Sequence, residues 1–262
     1  MTRALHLHTW GPVSSRRVVC VHGVTASGIH FAELAEDTLA GFRVLAPDLL
    51  GHGYSDHRPP WGLEDQIASL LETVGREPAL WVGHSYGGRL VLELALREPA
   101  LVQGAVLLDP VIWFPPHLVR EAAADACRER CYTSVEEAVE RRFEESRLAG
   151  ASRERVRTGI EGHLVTGSDG LVRYRYSQAA VVSSIGELAR TPPAFAGVRL
   201  PTLLVRGADT YLPYDHLLED HRAALGELLT EHVVAGGHTV LWDAFAETSA
   251  AVLDWLDRLG GQ

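Results

Sequence analysis

Ser85 stands at the centre of Gly83-His84-Ser85-Tyr86-Gly87, and His238 follows Gly236-Gly237 near the end of the chain. A serine hydroxyl is a weak nucleophile unless a base takes its proton and a third group holds that base. Two aspartates downstream of Ser85 offer the third group. Asp209 lies in Arg206-Gly207-Ala208-Asp209-Thr210, and Asp109 lies in Leu107-Leu108-Asp109-Pro110. Serine, histidine and aspartate acting together attack a carbonyl carbon and return the proton to the leaving group, which is the chemistry of acyl transfer.

Such groups work only if the chain carries them to one place. The apolar run Ala79-Leu80-Trp81-Val82 reads as a buried strand, and Leu90, Val91, Leu94 and Ala95 mark one face of a helix after the glycines. Strand, abrupt turn and helix raise the serine on a tip, and the flanking glycines remove Cβ atoms that would clash there. Further strands are predicted at Val18–Val21, Val44–Ala46, Ala105–Leu108, Leu203–Val205 and His232–Val234, with helices between them. The alternation of residues 3 to 9 predicts one more strand at the start. Alternating strands and helices with short connections imply a parallel sheet covered on both faces. Asp109, Asp209 and His238 each come directly after such a strand, and loops at one end of a parallel sheet converge.

The expectation is therefore an α/β fold with a mostly parallel sheet of about seven or eight strands. Residues 1–112 and 191–262 form its core, and 113–190 form an all-helical cap. Within the cap Ser134 and Glu137 form a capping box, and Val156, Ile160 and Leu164 continue the helical period. An insertion at the carboxyl ends of strands lies where open sheets bind ligands.

Composition narrows the partners. The net charge is −10, and all 24 basic residues are arginine. An acidic chain without a basic cluster argues against nucleic acid and against anionic membranes. The start of the chain, Met1 to His8, lacks the apolar core of a signal peptide, and no stretch is long and apolar enough to span a bilayer. Three cysteines make no disulfide framework, and Cys127 and Cys131 lack further ligands for zinc. The expectation is a cytoplasmic protein with reduced thiols and no metal.

Taken together, the motifs resemble the α/β-hydrolase fold superfamily, in its cap-bearing, serine esterase-like branch. Four stretches carry the likeness: His22-Gly23, Asp48-x-x-Gly51-His52-Gly53-x-Ser55, the turn at Ser85, and Gly237-His238. The resemblance implies Ser85 as nucleophile, His238 as base and Asp209 as the acid, with Asp109 as the alternative acid because some relatives place theirs after the earlier strand. It also implies that the main-chain N–H groups of Val24 and Tyr86 stabilise the oxyanion. His22 and His52 would brace the oxyanion loop, His84 would pack beside the turn, and His216, His221 and His232 would be solvated. Trp113 and Tyr176 are candidate pocket residues, and Phe114, Tyr132 and Tyr174 are further aromatic residues of the cap. No cofactor is implied. The expected substrate is a small carboxylic ester, lactone or thioester with an apolar group, taken by a monomer or homodimer. C–C bond hydrolysis, perhydrolysis and a slow hydrolase-derived receptor are the alternatives.

Overall fold

The computed structural model describes residues 3–260. The reading of the first eight residues includes Met1 and Thr2, which lie outside that range. Strands β1 (Leu7–Trp10), β2 (Arg17–Val21), β3 (Arg43–Pro47), β4 (Ala79–His84) and β5 (Val102–Leu108) precede the insertion, together with helices α1 (Leu63–Val74) and α2 (Tyr86–Arg97). The region predicted as a helix after β2 is instead a 3₁₀ turn, Gly28–Phe31, and a π-helical turn, Leu34–Thr38. Its apolar residues Phe31, Leu34, Ala35 and Leu39 are all buried.

The insertion holds α3 (Pro116–Ala126), α4 (Val135–Glu145), α5 (Arg153–Glu161), β6 (Leu164–Thr166), β7 (Val172–Tyr174) and α6 (Gln178–Glu187). The expectation of an all-helical cap is thus corrected. Leu164, assigned above to a helical stripe, lies in an antiparallel hairpin, paired with Tyr174. After the cap come β8 (Thr202–Gly207), α7 (Asp215–Leu225), β9 (Leu229–Val234), the short α8 (Val240–Asp243) and α9 (Phe245–Gly260).

The main sheet has seven strands in the order β1-β3-β2-β4-β5-β8-β9, all parallel except β1 against β3. Its central strands are apolar on both faces because helices cover both, and every residue of β4 is buried. Helices α1 and α2 pack with the cap on one face, and α9 packs on the other. A third apolar cluster joins Tyr132, Val139 and Val156 of the cap to Trp242 of α8.

Arg89 on α2 ties the cap to the core. It is buried, and it donates to the carbonyls of Ile112 (2.7 Å) and Thr191 (2.8 Å), where the chain leaves and re-enters the core. Glu93, one turn further on, partners the same guanidinium at 2.7 Å. No helix among the described residues is long and apolar enough to cross a membrane.

Candidate active site

The turn between β4 and α2 holds Ser85 at φ 55° and ψ −122°, backbone angles that a residue with a side chain adopts only under constraint. Three main-chain bonds impose them. Ser85 N–H donates to Leu108 O (3.1 Å), and Ser85 O accepts from the N–H of Gly88 (2.9 Å) and of Val111 (3.0 Å). Gly87 makes the turn possible, because a Cβ there would meet the Val21 carbonyl oxygen at 2.0 Å.

Ser85, His238, Val24 and Tyr86 all open onto one cavity of about 370 Å³ between core and cap. Tyr86 N–H is in the first turn of α2, where amides have no partner within the helix and the positive end of the helix dipole lies. The loop carrying Val24 is anchored from below. Leu49 N–H donates to His22 Nε2 (2.9 Å), so the opposite nitrogen, Nδ1, carries the proton and donates to Gly23 O at 2.7 Å. Burial holds His22 down to about 4, which keeps it in this neutral form.

Asp48 completes the brace. Its carboxylate accepts from Gly28 N–H (2.7 Å), Tyr54 N–H (2.9 Å) and His8 Nε2 (3.1 Å). Burial alone would raise its pKa, but His8, the nearby His22 and the two amides together hold it well below the usual carboxylate range. The same motif docks the cap: Ser177 N–H donates to Gly51 O and Gly53 N–H to Arg175 O, both at 2.7 Å. Gly51 is at φ 79°, and a Cβ there would meet the Ala180 Cβ at 2.2 Å.

The carboxylate on the histidine is Asp109, and here the structure departs from the leading expectation. His238 Nδ1 lies 2.7 Å from Asp109 Oδ2, which also accepts from the Thr210 hydroxyl (2.6 Å), while Oδ1 accepts from Gly207 N–H (3.0 Å). Asp109 is buried and sits at φ 39°, a left-handed conformation that aspartate tolerates better than most residues. Asp209 is exposed at the end of β8. The β8 turn directs its Gly207 amide and Thr210 hydroxyl to Asp109.

Two residues hold the His238 loop: His84, expected beside the serine turn, and Asp243, which the sequence did not single out. His84 Nε2 lies 3.1 Å from His238 O, and its ring stacks on His238 with centroids 4.8 Å apart. Asp243 Oδ2 accepts from Gly237 N–H (3.0 Å), while its Oδ1 accepts from Ala149 N–H (2.9 Å) and Gly150 N–H (3.0 Å) in the cap.

Of the two aromatic candidates, Tyr176 lines the cavity and Trp113 does not. Trp113 packs at the cap's root beside His216, ring centroids 5.3 Å apart, while its neighbour Phe114 faces the cavity together with Tyr211. Tyr132 and Tyr174 belong to the core of the cap. His221, expected to be solvated, is buried against Phe195 and within 2.6 Å of the Tyr214 hydroxyl. Cys20 is buried in β2, where burial pushes its thiol up; Cys127 and Cys131 are free and exposed.

The buried histidines set the response to acid. Burial, first, holds His22 and His221 down to about 4, and His84 and His163 down to about 3. Above pH 6.5 these groups are neutral folded or unfolded and contribute nothing to the pH dependence. Below it, the unfolded chain takes up protons that the folded chain refuses, so stability falls until the pH reaches the folded values. At pH 5 each group removes about 2 kcal/mol, and four together approach the whole stability of an ordinary domain. The thermal midpoint, followed by circular dichroism, should therefore drop steeply between pH 6.5 and pH 5. A midpoint flat across that interval would show that these rings take protons in place.

With the geometry established, comparison with known proteins identifies the lineage. A profile of the alpha/beta hydrolase fold matches residues 16–245. The chain is 34% identical to Lipase LipV of Mycobacterium tuberculosis over 222 residues, covering 82% of this chain and 83% of the lipase. It is 32% identical to 2-(acetamidomethylene)succinate hydrolase of Mesorhizobium japonicum over 205 residues, 73% of this chain and 70% of the other. The crystal structure of an E-2-(acetamidomethylene)succinate hydrolase superposes with a TM-score of 0.84 at 24% identity, covering 97% of this chain and 95% of the other. The chain belongs to the α/β-hydrolase fold family and is a hydrolase.

Proposed function

We propose that the protein hydrolyses a small carboxylic ester, or a related thioester or lactone, through an acyl-enzyme on Ser85. The observation that carries this reading is the pairing of His238 Nδ1 with the buried Asp109 carboxylate, beside a serine held on a strained turn in the same cavity. Asp109 fixes the tautomer that leaves His238 Nε2 free to accept the serine proton. Ser85 Oγ attacks the carbonyl carbon, and His238 takes its proton and delivers it to the departing alcohol. The amides of Val24 and Tyr86 receive the oxyanion; a single such donor is worth about 3 kcal/mol in the barrier. Water then repeats the sequence, with His238 again as base, and frees the acid. All of these groups are side chains or main chain of this polypeptide, so the reaction as written needs no cofactor.

The apolar wall of the cavity, formed by Val111, Phe114, Val181, Ile185, Leu188 and Leu212, suits the hydrocarbon part of an acyl group. The test is covalent. A fluorophosphonate probe should attach one equivalent to the protein, at Ser85 by peptide mass, with concurrent loss of 4-nitrophenyl ester hydrolysis. Labelling elsewhere, or full labelling with hydrolysis intact, would overturn the assignment.

A further inference from the structure

Arg142 lines the same cavity from α4, on the cap side. It is 9% exposed, and its guanidinium lies over the rings of Tyr174 (5.2 Å) and Trp242 (5.4 Å). Its Nε is buried with no hydrogen-bond partner, and among the described residues no carboxylate pairs with it. Arginine does not shed its proton in a protein, and a buried charge is normally paired. The two rings give the cation favourable contacts, and neither offers an anion to its N–H donors.

The neighbouring charges do not supply one. Asp125 and Glu145 also face the cavity, but Asp125 pairs with Arg128 (3.2 Å) and Arg130 (3.1 Å). Both oxygens of Glu145 accept the Tyr132 hydroxyl, at 3.0 and 3.1 Å. Arg147 stands at the exposed rim over Tyr211, ring centroid at 4.6 Å, and likewise has no carboxylate among the described residues. The cavity wall thus carries three arginines against two carboxylates, both engaged, and its most deeply buried cation is without a carboxylate among the described residues.

We infer that the substrate bears a carboxylate remote from its scissile bond, and that Arg142 binds that carboxylate. This rests on the reading of Ser85 as the acylated residue of this cavity. A planar guanidinium packed over two aromatic rings presents its donors in one plane, which matches a carboxylate in a bidentate pair. A single buried cation balances a monoanion. The same cavity that holds Arg142 and Ser85 is also lined by apolar side chains, which suit connecting methylenes, so the substrate class is a half-ester of a dicarboxylic acid or its thioester equivalent.

Two measurements test this independently. The first compares mono-4-nitrophenyl adipate with 4-nitrophenyl pentanoate, which has the same acyl chain without the carboxylate. Wild type should favour the charged ester by about 100-fold in kcat/KM, the effect of a well-made buried charge pair. Arg142→Gln should collapse that ratio to near one through KM, and Arg142→Lys should restore part of it. An uncharged preference in wild type, or an equal loss on both esters in Arg142→Gln, would assign Arg142 to holding the cap and overturn the inference. The second measurement is calorimetric binding of adipate to Ser85→Ala protein, which needs no turnover. Binding that weakens at least tenfold on adding Arg142→Gln supports the anion site even if ester hydrolysis fails. No binding of adipate overturns it even if hydrolysis succeeds.

Discussion

Asp109→Asn is expected to lower kcat for a 4-nitrophenyl ester by about 10⁴, the loss seen when a triad aspartate becomes an amide. Asp209→Asn should change it by less than about threefold, as befits an exposed substitution. The reason lies in the donors around Asp109. Its two oxygens accept from Gly207 N–H, the Thr210 hydroxyl and His238 Nδ1. An asparagine must turn its NH₂ towards one of these donors. Facing His238, it forces the proton onto Nε2, the nitrogen that has to receive the serine proton. Facing Gly207, it sets a buried N–H against a buried N–H. Steady-state kinetics on the two variants decide the matter, and a larger loss at Asp209 would return the acid to the β8 turn.

Ser85→Ala is expected to abolish turnover, by about 10⁶ in kcat if it behaves as serine-protease nucleophiles do. The fold should survive, since the bonds that shape the turn are main-chain bonds. Alanine keeps the Cβ and hence the strain at φ 55°. Glycine relieves it, so Ser85→Gly should be as inactive as Ser85→Ala yet more stable by about 1 kcal/mol. Residual activity above a few per cent in either pure variant would remove Ser85 from the chemistry. Equal melting points would mean that the turn is unstrained.

The sheet and the serine turn were legible because their signals are local: an apolar run, glycines at fixed offsets, then helical periodicity. The acid was not. Asp109 and Asp209 both follow buried strands, and the choice between them depends on which one the His238 loop meets across the sheet edge. That contact is tertiary, fixed by Gly207 and Thr210 turning inward. The cap hairpin escaped because its strands are three residues each, although Gly167-Ser168-Asp169-Gly170 between them is a turn signal. Arg142 was hidden for a different reason. It lies in Val-Glu-Glu-Ala-Val-Glu-Arg-Arg-Phe-Glu-Glu, which reads as a solvated charged helix, and only the packing of Tyr174 and Trp242 shows which arginine turns inward.

The Asp243 carboxylate bears on how such enzymes are recombined. One oxygen serves the residue before His238 and the other serves two amides of the α4–α5 turn, so a single buried side chain belongs to both modules. A transplanted cap whose turn did not present two amides there would leave Oδ1 buried and bare, beside the loop that carries His238. A close-fitting donor turn matters as well, because a Cβ at Gly150 would meet the Asp243 carbonyl oxygen at 2.4 Å. The workable graft boundary for new specificity therefore excludes residues 147–151: the helices may be exchanged, and that turn travels with the core.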